Sequence, residues 1–398
     1  MLSMGVLGGN MKRKILYSSF IAAIIVLRTM IVYAAPVTTT VLVNPTPLPR
    51  MAAAKADWEA KWESTLAGAQ REGSVSIYAL LSAETRKALG AAFKTKYGIN
   101  LEFTIGTDGE IMQKITQERT ANLHLVDVIM LAGAAYVQKL KPMGVVTPLD
   151  KRLILPSVID EKKWLDGKFP WFDKNHTAVA PLAGYFSYIL INTEMVKKDE
   201  ITSYQDLLKP TWRGKIAIFD PTLPSPTQTF VNYVVPRMMG NESGKEYLRA
   251  LAKQDLNYVK DARLLVEWVA KAKYPVAMGA GAPITLSFLK AGAPISFVRP
   301  KEGGLLAGGP NLVSIVAQAP HPNAADIFVN WLLTDQAQEI FAANQQYPSR
   351  RIGVPYKGPH PFPVVRPDDK TIESDEAFYV EGQKTVGWAK EIFGPYVR

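Results

Sequence analysis

Residues 100–131 read NLEFTIGTDGEIMQKITQERTANLHLVDVIML, and this stretch decides the fold class. Asn100 to Thr104 is expected to be a strand. Thr107-Asp108-Gly109-Glu110 is a Thr-x-x-Glu capping box, in which hydroxyl and carboxylate each satisfy a backbone N–H of the other residue. It opens a helix carrying Ile111, Met112 and Ile115 on its buried side. Val126 to Leu131 forms an apolar run, expected as a strand covered on both faces. Upstream the pattern repeats. Ser82 starts a helix reaching about Lys96, with Leu89 and Phe93 inward, after a strand at Val75 to Tyr78. Before that strand, Asp57 caps a helix with Trp58, Trp62, Leu66 and Ala69 on one stripe, and Gly73 stops it. Strand and helix in alternation imply an α/β fold with a mainly parallel sheet flanked by helices.

In an open α/β sheet, ligands bind beyond the carboxyl ends of the strands. Leu81-Ser82-Ala83, Gly106 to Gly109 and Ala132-Gly133-Ala134 are the loops at those ends, and each offers small residues, hydroxyls or free N–H groups at a helix start. Ser82 and Thr107 serve equally well as helix caps.

A second α/β unit begins near Val179. Its expected strands are Ser187 to Ile191, Ile216 to Phe219, Pro275 to Met278 and Ile295 to Val298. Lys245 to Lys253 and Ala262 to Lys271 read as helices, and the loops are Asp220 to Thr229 and Gly279-Ala280-Gly281-Ala282. The chain then returns through Gly303 to Pro310 and a strand at Leu312 to Val316, after which Asn323 caps a helix bearing Phe328, Trp331 and Leu332.

The 398 residues contain no cysteine, which excludes a disulfide scaffold and a cysteine-ligated metal protein. The net charge of +10 invites a nucleic-acid reading, but Lys12, Arg13, Lys14 and Arg28 all lie in one N-terminal segment. There Lys12-Arg13-Lys14 precedes the apolar run Ile15 to Leu27, and Val32-Tyr33-Ala34-Ala35-Pro36 follows. This is a secretory signal over residues 1–34 with cleavage expected after Ala34. Arg28 keeps the run shorter than the ~20 residues of a membrane span, so a retained anchor is the weaker alternative. The other basic residues are scattered, as on a solvated surface, so no nucleic acid is expected as partner. Residues 35–50, rich in Pro and Thr, read as a disordered tether. Without a thiol for lipid attachment, the protein is expected free in the periplasm.

Three stretches carry a family resemblance: Trp58-Glu59 through Gly73-Ser74-Val75 and Tyr78; Ser203-Tyr204-Gln205-Asp206-Leu207-Leu208-Lys209-Pro210-Thr211-Trp212-Arg213-Gly214-Lys215 on to Asp220-Pro221; and His321-Pro322-Asn323-Ala324-Ala325 with Phe328, Trp331-Leu332-Leu333 and Gln336-Ala337-Gln338. In these the chain resembles the periplasmic solute-binding proteins of ABC importers, particularly those related to ferric-iron, polyamine and phosphonate binders. The resemblance implies the type II periplasmic-binding-protein fold, two α/β lobes joined by hinge strands that close over a small solute and deliver it to a permease in the cytoplasmic membrane. By analogy, lobe one takes residues 50–178 and 304–345, and lobe two takes 179–303 and 346–398. Hinges are expected near Ala178 to Gly184 and Arg299 to Gly304. Bending glycines or plain loop glycines both account for Gly303-Gly304 and Gly308-Gly309.

The same analogy places the solute against Ser82, Thr107, Asp108 and Gly133 from lobe one. Lobe two contributes Tyr185, Ser187, Ser225, Thr227, Gly279 and Gly281, and the late segment Tyr347, Arg350 and Arg351. An Arg fork suits carboxylate or phosphate, so a small polar, anionic solute is expected, although Arg350-Arg351 also fits a surface turn after Pro348. Where iron-binding members place Tyr-Tyr, this chain reads Met278-Gly279-Ala280-Gly281-Ala282, which disfavours ferric binding there. His124, His176, His321 and His360 have no metal-ligand spacing, and no metal or cofactor is expected. No nucleophile elbow, phosphate loop, His-Glu-x-x-His or dinucleotide fingerprint occurs, so the expectation is a monomeric binder rather than an enzyme. A ferric-iron transport protein and an exported hydrolase or lyase are the alternatives.

Overall fold

The computed structural model describes residues 56–197, 199–308, 311–345, 347–358 and 360–397. The signal and tether expected over 1–34 and 35–50 lie outside these residues. The described strands are β1 (Ser74–Ala79), β2 (Asn100–Ile105), β3 (Val128–Leu131), β4 (Gly184–Phe186), β5 (Ile189–Asn192), β6 (Ile216–Phe219), β7 (Asn257–Val259), β8 (Val276–Met278), β9 (Ile295–Phe297), β10 (Gly304–Ala307), β11 (Leu312–Ile315) and β12 (Thr371–Glu373).

Local chemistry sets the first unit. The helix Ala83–Tyr97 starts at Ser82, whose Oγ accepts from Thr85 N at 3.2 Å, and Asp108–Thr120 starts at a complete Thr107–Glu110 capping box. The sheet runs β11-β3-β1-β2, with β1 parallel to β2 and β3, and β11 antiparallel to β3. Asp127 interrupts the run expected from Val126, so β3 begins at Val128. Its fully buried carboxylate accepts from the backbone N–H groups of Ser76 and His321, both at 2.7 Å, and lies 2.9 Å from His321 Nδ1. A buried charge is tolerated there because its oxygens are filled.

Two helix expectations change. Asn323 does not cap the helix Pro322–Leu332: Pro322 takes the first position and His321 is the cap. Glu72 supplies the missing acceptor, taking Ala324 N–H at 2.7 Å and the Asn323 amide at 2.6 Å. The helix Asp57–Glu72 buries Thr65, Gly68 and Ala69, while Trp58 stays 38% exposed. Close approach decides this, since a methyl carbon on Gly68 would lie 2.8 Å from the Asn323 side chain.

The second sheet runs β7-β6-β8-β5-β9. Here β6 is parallel to β7 and β8, but β5 is antiparallel to both β8 and β9, so this sheet is mixed rather than mainly parallel. The cause is that β5 follows β4 after two residues, with no crossover helix to reverse it. A third sheet, β12-β10-β4, joins the two units, with β10 antiparallel to β4 and parallel to β12. One core gathers Phe93, Trp331 and Phe341, and another Tyr188, Trp212, Phe230 and Phe393.

The Pro-rich segment from Pro355 to Pro367 packs down. Phe362 stacks on Phe297 at 4.6 Å, and Arg299 donates to Val364 O at 3.0 Å. Tyr347 and the residues after it lie on the first core rather than the second, through Tyr347 itself and bridges from Ser349 to Leu182 and Arg351 to Trp164. Among the described residues no helix is long and apolar enough to cross a membrane.

Candidate functional site

A cavity of about 260 Å³ opens at the end of β10. Gly133 and Phe172 line it from the first unit, Ala307 of β10 with Gly308 just beyond it, and Arg350, Ser374 and Tyr379 from the C-terminal part. A smaller cavity of about 110 Å³, which includes Tyr185, Gln345, Tyr347 and Phe362, shares Ala307 with it.

Gly133 opens the short helical turn after β3, and only a residue without Cβ fits: that carbon would lie 2.5 Å from the Tyr379 ring and 3.0 Å from Phe172. Asp108 supports the turn by accepting from Ala132 N–H at 3.4 Å. Burial raises the Asp108 carboxyl above its usual range, against the pull of that hydrogen bond and of Lys139. Tyr379 is pushed up to about 12 by burial, with the charges of Tyr233 and Asp108 adding and the Ser374 hydroxyl opposing. It therefore acts as a neutral hydrogen-bonding phenol.

Arg350 lies with its side chain 10% exposed. Nη1 donates to Glu373 Oε2 at 3.1 Å, Nη2 donates to Oε1, and the buried Nε has no partner. Across the molecule, Thr227 Oγ1 is also buried and unpartnered, pressed against Gly279. Gly279 holds φ +81°, and a Cβ there would meet that hydroxyl at 1.8 Å. The loops after β6 and β8 thus touch, and Gly281 caps the helix Ala282–Lys290 without a side chain.

Other expected residues serve the fold. Arg351, 3% exposed, turns away from both cavities: it pairs with Asp335, donates to Ser157 O at 2.9 Å and lies 5.3 Å above the Trp164 ring. Ser187 is fully buried, its Oγ accepting from Ile189 N–H at 3.3 Å. Ser82, Thr107 and Ser225 are occupied as caps, and Tyr185 stacks under Arg299 at 4.4 Å. Ser374 and Tyr379 escaped sequence reading because no local motif marks them; the crossing of the C-terminal segment brings them to Gly133.

That crossing is clasped. Lys141 reaches Asp173 at 2.8 Å and Glu376 at 2.5 Å, and Glu376 N–H donates to Phe172 O at 3.0 Å. On the other side Arg237 pairs with Glu381 and Asp375. Burial alone would raise Asp173, but hydrogen bonds from Lys141 and Thr177 with the Lys141 charge outweigh it, and the carboxyl sits below its usual range. A depressed folded value means stability that is present at neutral pH and lost as pH falls through it. Wild-type Tm is expected to fall more steeply between about pH 5 and pH 3 than that of Asp173→Asn. Calorimetry across that range checks this, and parallel curves would contradict it.

Among the described residues no three His, Asp or Glu side chains group as metal ligands. Residues 124–382 match the family of bacterial extracellular solute-binding proteins. The iron uptake protein A1 of Synechocystis is 21% identical over 303 residues, 71% of this chain and 76% of that protein. Among solved structures, the Trichodesmium protein IdiA (FutA), in complex with iron and citrate, superposes with TM-score 0.65 at 18% identity, covering 80% of this chain and 99% of its own. AfuA of Actinobacillus pleuropneumoniae, with fructose-6-phosphate bound, gives TM-score 0.56 at 21% identity, covering 80% and 98%. With a joining sheet between two α/β units and a cavity at the end of β10, the chain belongs to the bacterial extracellular solute-binding proteins, the solute-capturing components of ABC transporters.

Proposed function

We propose that this protein captures a small anionic solute in the cavity between Gly133, Arg350 and Tyr379 and hands it unchanged to a permease of the cytoplasmic membrane. One observation carries the reading: a nearly buried guanidinium lines the cavity and keeps an unpartnered Nε. Away from water a guanidinium–carboxylate or guanidinium–phosphate pair is strengthened, so closure over the solute favours binding. The organic ligands named for two neighbours, citrate and fructose-6-phosphate, are both anions. The two cores support lobes of about 50–178 with 304–345 and of 179–303 with 346–398, except that Tyr347 to Arg351 belong with the first. The protein works as a monomer, released to the periplasm by cleavage after Ala34. The binding loops lack tyrosine at Met278 to Ala282, which weighs against iron as the cargo. Nothing in the cavity requires covalent chemistry.

A thermal-shift screen of succinate, citrate, phosphonates, fructose-6-phosphate, spermidine and Fe³⁺ tests the reading. An anion at 100 times its Kd adds about 2.7 kcal/mol of stability. Stabilisation by the cations alone would overturn it.

A further inference from the structure

The partner that already holds Arg350 points to the chemical class of the solute. Glu373 meets both Nη atoms fork to fork, as a planar carboxylate does. The two partners stand in unequal positions. Glu373 is 40% exposed and can turn into water at little cost, whereas Arg350 is 10% exposed and cannot be left without an acceptor. The backbone of Glu373 is fixed, since β12 pairs with β10 at Leu306 and Ser374 Oγ donates to Leu306 O at 2.8 Å. Only the side chain is free to move. The match is also incomplete, because Nε stays unsatisfied beside Glu373.

We infer that Glu373 is an internal stand-in for the acid group of the solute, which is a small carboxylate: Glu373 holds Arg350 when the cleft is empty, and the incoming carboxylate takes its place. This rests on the cavity reading above. The body of the solute then lies along Phe172, Leu312 and Tyr379, which suits a short apolar or weakly polar chain. Binding is an exchange of one carboxylate for another on the Arg350 guanidinium, with the Glu373 carboxylate turning out into water. Release follows the reverse route, with Glu373 returning as the lobes part.

The test is rescue in the full chain, which does not require the natural solute. Glu373→Ala removes the stand-in, and Tm is expected to fall by several degrees. Acetate at millimolar concentration should restore it in a saturable way, with chloride and inorganic phosphate at matched ionic strength giving much less. Glu373→Ala/Arg350→Ala should show no acetate response. If Glu373→Ala is too unstable to purify, Glu373→Gln serves, with the acetate-dependent shift as the readout. An unchanged Tm, a fall that acetate does not reverse, or rescue that survives loss of Arg350 would each overturn the inference, and stronger rescue by phosphate would assign the site to phosphates. Failure of the underlying cavity reading looks different: acetate rescues Glu373→Ala, yet no organic anion shifts the wild-type protein.

Discussion

Arg350→Ala is expected to weaken capture of an anionic solute by about 30-fold or more while the protein stays folded. Truncating one member of a buried, hydrogen-bonded charge pair costs about 2–5 kcal/mol, and each 1.4 kcal/mol is tenfold in affinity. The fold tolerates the change because Glu373, left behind, is 40% exposed and can be hydrated. Arg351→Ala should give the opposite pattern. Its guanidinium braces Trp164, Ser157 and Asp335 on the first core, so Tm falls and affinity stays within about twofold. Titration calorimetry with a stabilising anion, beside scanning calorimetry, separates the two. Equal loss of affinity in both variants would contradict the placement of Arg351.

Gly304→Val is expected to produce the largest structural effect. At Gly304 a Cβ would lie 2.5 Å from the Tyr185 ring and 2.7 Å from Phe186 O. The carbonyl belongs to β4, which pairs with β10 at Leu305 and Leu306, so it cannot step aside without opening the joining sheet. Overpacking a well-packed site costs about 1–3 kcal/mol, and more where backbone is the obstacle. A lower Tm should therefore accompany a larger radius of gyration in X-ray scattering. A variant with wild-type Tm and radius would show that β4 and β10 do not fix how the units meet. Close approach, rather than bending, is then the reason for a glycine here.

The parts legible in the sequence were those governed by neighbours in sequence. The Thr107 capping box, the Ser82 cap and the apolar faces of Ile111, Met112 and Ile115 formed as read, because each depends on three or four adjacent residues. Elements governed by distant partners were misread. Asn323 yielded the cap position to His321 while Glu72, 251 positions from Asn323, accepts its N–H, and the direction of β5 follows from the crossing at β4. The site shows the same division. Gly133, expected at a strand end, and Arg350, expected as part of an arginine pair, both line the candidate cavity. The separation of Arg350 from Arg351 depends on the way Ser349 and Arg351 bridge to Leu182 and Trp164, which turns adjacent side chains to opposite sides. Tyr379 meets Gly133 beside the clasp of Lys141, Asp173 and Glu376, whose members are far apart in sequence.

A crystal structure with the solute retained from the cell, or added after the thermal-shift screen, shows where the solute lies. Its acid group is expected on the Arg350 guanidinium, inside the cavity that Gly133 and Tyr379 line. Density for the solute outside this cavity, with Arg350 still bound to Glu373, would contradict that placement.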